Sequence, residues 1–92
     1  MSEDEPYEVR VTAEGQRHLG KLPDKIRAAV LAFAFEALAH NPRRVGKPLT
    51  NELEGLWSAR RSDYRVTYGI DDGTRVVLIH RAARRRDIYR PR

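Results

Sequence analysis

The chain has 92 residues, no cysteine, and 18 Lys and Arg against 13 Asp and Glu, a net charge of +5. A chain of this length has room for one small domain and not for separate catalytic and binding domains, and the absence of Cys excludes disulfides, zinc–thiolate sites and cysteine nucleophiles. No apolar run approaches a membrane span and no segment resembles a signal peptide, so a cytoplasmic protein with no membrane partner is expected.

Residues 1–6 read as an acidic flexible leader, and residues 7–92 as a single domain. Tyr7-Glu8-Val9-Arg10-Val11 alternates apolar and charged, which predicts a strand with Tyr7, Val9 and Val11 turned inward. Thr12 offers an N-cap and Glu14 a negative charge in the first turn of a short helix that runs to about Leu22. Pro23 stops that helix and suits the first position of a second one. There Ile26, Ala29, Val30, Phe33, Ala37 and Leu38 recur at helical spacing, and Pro42 ends the pattern. Leu31 and Phe35 form a second stripe. They either cover the first helix in an αα-hairpin, the reading favoured here, or wait for a partner.

Residues 42–55, with two Pro and two Gly, read as a loop. A short strand is predicted over 56–60. A second follows over 64–70, with Tyr64, Val66, Tyr68 and Ile70 on one face and Arg65 and Thr67 on the other. Asp71-Asp72-Gly73 marks a hairpin turn. Residues 74–81 are almost continuously apolar through Val76 to Ile79, as in a central strand covered on both faces. The expected class is α+β: a helical hairpin on a small, mostly antiparallel four-stranded sheet in the order β-α-α-β-β-β.

Charge says more than composition. Residues 1–8 carry four acids and no base, so residues 9–92 hold 18 bases and 9 acids, or +9. Residues 81–92 hold six Arg against Asp87 alone. Such a field attracts a polyanion. Fifteen of the 18 bases are Arg, whose planar fork pairs with phosphate and stacks on bases. A GC-rich coding sequence produces the same bias without any binding role.

Little classical chemistry is available. There is no glycine-rich phosphate loop. His18, His40 and His80 are too scattered for a metal motif, and each reads as a surface or filling residue; no metal or cofactor is expected. Ser58 and Ser62 lack a nucleophile elbow. What remains is Arg65, mid-strand and opposite a buried face, with Arg60 on the preceding strand. Arg84, Arg85 and Tyr89 follow the last strand and can fold back to the same open face. Several guanidinium groups and a phenol would stabilise a phosphorane-like transition state, with the RNA 2′-OH as nucleophile. The competing reading is a solvated basic face.

Three segments carry a resemblance: Val45-Gly46-Lys47-Pro48-Leu49; Glu52-Leu53-Glu54-Gly55-Leu56-Trp57-Ser58-Ala59-Arg60-Arg61 with Asp63-Tyr64-Arg65-Val66-Thr67-Tyr68-Gly69-Ile70-Asp71-Asp72; and Arg85-Arg86-Asp87-Ile88-Tyr89-Arg90. Together they resemble the RelE toxins of bacterial type II toxin–antitoxin systems, over essentially the whole chain from Tyr7 to Arg90. The resemblance implies a metal-independent, ribosome-dependent mRNA endoribonuclease that blocks translation and is neutralised by a cognate antitoxin. Operator DNA would be bound only by the toxin–antitoxin complex.

By position, Arg65 matches the arginine that contacts the scissile phosphate, Arg85 that of the terminal His-Arg motif, and Tyr89 the tyrosine that helps activate the 2′-OH. Arg60 matches the arginine of the preceding strand, and Arg61, Arg84, Arg43, Arg44 and Lys47 are further expected RNA contacts. Two departures stand out. The motif's His is Arg84 here, so its imidazole is missing, and lysines that some members carry on the second strand are replaced by Leu56 and Ser58. The ParE toxins share the fold but inhibit DNA gyrase without cutting nucleic acid, and they define the alternative. A degenerate toxin that binds only its antitoxin is a third reading.

Overall fold

A computed structural model describes residues 5–84 of the chain. Strand β1 (Glu8–Val11) leads into α1 (Ala13–Gly20) and α2 (Asp24–Phe33), and α2 runs on through a π-helical turn at Ala34–Leu38. A four-residue helix α3 (Pro42–Val45), a two-residue strand β2 (Lys47–Pro48) and a 3₁₀ turn (Asn51–Leu53) lead to β3 (Leu56–Arg61), β4 (Tyr64–Asp71) and β5 (Val76–Arg84). The sheet has five strands in the order β1-β5-β4-β3-β2, with β1 parallel to β5 and the other pairs antiparallel. The α+β class and mostly antiparallel sheet are as expected. The fifth strand is β2, which lies inside the segment read as a loop. Two residues ending in Pro48 are too few to carry a periodic signal.

Local chemistry explains most of the boundaries. Thr12 caps α1, its Oγ1 accepting from the Gly15 N–H at 2.9 Å. Pro23 takes the cap position of α2 rather than its first turn. The β4–β5 turn spans residues 72–75. Asp71 Oδ1 accepts from the Thr74 N–H at 3.2 Å, and Arg75, not Gly73, adopts the left-handed conformation at φ 55°.

The core lies between the helices and one face of the sheet. Val30, Ala34 and Leu38 recur every four residues and are buried to 1% exposure or less. They pack against Val66, Tyr68, Val77, Ile79 and Ala82. Leu31 is half-buried at the edge of this core, but Phe35 is 56% exposed. The αα-hairpin reading therefore fails at Phe35. The helix meets the sheet along 30/34/38, and that places residue 35 on the outer side. β5 is interior, between β1 and β4, although only its Val77 and Ile79 face is fully buried. On the other face Val76 and Leu78 are half-buried, so the strand is not covered on both sides.

Candidate functional site

Register determines which side chains share the helix-free face. In β4, Val66 and Tyr68 enter the core and Arg65 turns away. Arg65 lies directly opposite Arg60 of β3, and Ser58 opposite both Thr67 and Lys47. Arg60, Arg65, Ser58, Thr67 and Lys47 thus occupy one face. Like charges directly opposite across two strands repel, and an anion between them relieves the repulsion. Arg65 is half-buried, with Nη1 3.5 Å from Ser58 Oγ.

A β-bulge completes the site. The β4–β5 register shifts between Thr67, opposite Arg81, and Tyr68, opposite Ile79, leaving His80 as the extra residue. His80 and Arg81 consequently both face the helix-free side. They line a cavity of about 240 Å³ with Arg65, Ser58, Thr67 and Glu14 over an apolar floor of Leu49, Leu53 and Leu56. Glu14, in the first turn of α1 where β1 ends, accepts from Arg81 Nε at 3.3 Å. Along the same face toward the hairpin a larger cavity of about 580 Å³ lies over Gly69, Val76 and Leu78.

The other expected site residues are scattered. Arg84 and Arg61 each lie opposite Tyr64, a core-face residue, so neither shares the face of Arg65. Arg84 lies 3.4 Å from the Tyr64 hydroxyl and lines a separate cavity with His18 and Lys21. The bulge accounts for this, because each residue after it changes parity. Arg43 makes a two-pronged ion pair with Asp72, at 3.1 and 2.6 Å, and Tyr7 donates to the same carboxylate at 2.6 Å. Arg43 is therefore occupied at the hairpin end of the sheet, remote from Arg65. Its guanidinium, more than the Tyr7 hydroxyl, holds the Asp72 carboxyl down at about 2. Arg44 lines a shallow cavity nearby with Tyr7 and Arg75. Arg85 and Tyr89 lie outside the described residues.

In the sequence alone His80 reads as a surface or filling residue. Continuing the alternation of Val77 and Ile79 by one residue places it on the face of Arg65, and that signal was available. The bulge that adds Arg81 to the same face was not. Among the described residues, no three His, Asp or Glu side chains group as metal ligands, and no helix is long and apolar enough to cross a membrane.

A five-stranded sheet with helices on one face is a fold this chain shares with a chain of a toxin–antitoxin complex. The chain belongs to the family described as ParE toxin of the type II toxin–antitoxin system parDE, whose profile matches residues 9–89. It is 57% identical over 90 residues to Toxin RelE of Mycobacterium tuberculosis, covering 98% of this chain and 93% of that protein. It is 54% identical over 85 residues to Toxin RelG of the same organism, covering 92% and 98%. The toxin–antitoxin complex RelBE2 of that bacterium contains a chain that superposes with a TM-score of 0.83 at 52% identity, over 87% of this chain and 99% of that one. The isolated Escherichia coli RelE toxin matches at 0.69 and 18% identity, over 85% and 83%, a likeness of fold.

Proposed function

We propose that this toxin is an endoribonuclease that cleaves mRNA on the ribosome and thereby stops translation, held inactive by a cognate antitoxin. The observation that carries the reading is the pair Arg60 and Arg65, facing each other across β3 and β4 beside a small cavity that Arg65 lines. Such a pair suits the charge that builds on a phosphate during in-line attack. The 2′-OH of the RNA attacks the adjacent phosphorus, the 5′-oxygen leaves with a proton, and a 2′,3′-cyclic phosphate results. RNA supplies its own nucleophile, so the scheme calls on no metal. Arg65 clamps the phosphate, Arg85 adds positive charge, and Tyr89 helps to activate the 2′-OH. Arg60 and Lys47 hold the flanking backbone.

The test is in-vitro translation with and without the protein, followed by primer extension on the mRNA. Discrete stops within the reading frame are expected, and replacement of the cleavage-site ribose by its 2′-deoxy form should abolish them. The family profile that matches is described for ParE, and this keeps one other reading in play: inhibition of DNA gyrase without cleavage. Intact mRNA together with loss of gyrase supercoiling would establish that second reading.

The antitoxin should present a segment that is acidic, disordered alone and ordered on binding, since the toxin surface is basic and exposes Phe35. The relative's complex, RelBE2, is a toxin bound to its antitoxin. Operator DNA is expected to bind the pair and not the free toxin.

A further inference from the structure

The resemblance left this chain without the imidazole of its terminal motif, where Arg84 stands instead. The bulge in β5 supplies another. From the cavity it shares with Arg65 we infer that His80 is the general base of this toxin, accepting the 2′-OH proton as the oxygen attacks phosphorus. This rests on the ribonuclease reading and names the residue that moves the proton.

Among the described residues, the ionisable groups lining the cavity are Glu14 from α1, Arg65 from β4, and His80 and Arg81 from β5; β3 and the 3₁₀ segment contribute Leu53, Leu56 and Ser58. Arginine does not give up its proton in proteins. Glu14 is engaged by Arg81. Imidazole, by contrast, both accepts and releases protons near neutral pH. His80 is half-buried, and its Nε2 lies over Gly69, 3.6 Å from where a Cβ would stand. Arg65, the proposed phosphate clamp, lines the same small cavity.

In the step, the 2′-oxygen forms a bond to phosphorus while its proton passes to the ring. The bond from phosphorus to the 5′-oxygen breaks, that oxygen is protonated, and the ring then returns its proton to solvent.

The experiment measures single-turnover cleavage of mRNA on programmed ribosomes. His80→Gln keeps a polar side chain of similar reach, and its thermal melt reports whether the fold survives. Loss of a general base should slow cleavage by about 10²–10⁴-fold. Added imidazole should restore part of the rate to His80→Ala. A substrate with sulfur in place of the 5′-oxygen, which leaves without protonation, should not rescue His80→Gln. A folded His80→Gln that cleaves within threefold of wild type, while Arg65→Ala does not cleave, overturns the assignment and spares the ribonuclease reading. Rescue by the sulfur substrate also overturns it, because His80 would then serve the leaving group. A wild type that makes no cut overturns both.

Discussion

Arg65 and Val66 are neighbours in sequence and opposites in role. Val66 has no exposed surface, and removing its two methyls opens a void in the core at a cost of about 2 kcal/mol. Arg65 turns away from that core, so Arg65→Ala leaves the fold intact; its thermal melt should match wild type while mRNA cleavage falls about 10²–10³-fold. Tyr68 is a buried polar group. Its hydroxyl donates to the Pro42 carbonyl at 2.5 Å, and burial pushes its pKa up to about 12. Tyr68→Phe removes that buried hydroxyl–carbonyl bond and should cost about 1–3 kcal/mol, read as a lower urea midpoint. The neutral phenol is the form the fold prefers. Its contribution is complete below the unfolded value of about 10 and is lost as pH rises from there through 12. Wild type should therefore lose more stability between neutral pH and pH 11 than Tyr68→Phe does.

Element boundaries were legible wherever their cause is local. The Thr12 cap, the stop at Pro23 and the alternation along β4 depend on residues within a turn or a strand of one another. The misreadings share a different cause. Phe35, Arg84 and β2 are placed by contacts between elements distant in sequence, and a one-residue bulge changes the parity of everything after it. The approach of α1 to the sheet is of that kind. A Cβ on Gly15 would sit 2.6 Å from the Ile79 carbonyl oxygen and 2.7 Å from Val11 Cγ1. Gly15→Ala must push α1 off β5, and with it Glu14 off Arg81 beside the cavity. It should lower stability by about 1–3 kcal/mol despite alanine's better helix propensity, and reduce cleavage as well. The hairpin end is fastened differently, by Asp72 between Arg43 and Tyr7. With a folded pKa depressed to about 2, Asp72 contributes above the unfolded carboxylate value, and the contribution disappears as pH falls through 2. The pair is exposed, so the effect is small and weakened by salt. Asp72→Asn should flatten the acid limb of Tm against pH at low ionic strength and change it little in high salt.

Among the described residues the excess positive charge is not one continuous patch. The face of Arg65 gathers Arg60, Lys47 and Arg81, whereas Arg61 and Arg84 lie on the helix side and Arg43 is neutralised by Asp72. Composition announced a basic protein; the register shows which of the described bases share a face. If the helix-free face meets the RNA backbone on the ribosome, each of its cations displaces counterions when it binds. Affinity should then fall steeply with salt, and removing one contacting cation should shallow the log–log slope by about one. Arg60→Ala and Lys47→Ala should each do so, and they should weaken binding without moving the cleavage position. Arg43→Ala removes the same formal charge but also frees Asp72, so its main effect should be a lower Tm, with a smaller change in slope. Ribosome binding measured from low to moderate salt for the three variants separates these outcomes. Equal slopes for all three would mean that net charge, and not this face, draws the toxin to its target.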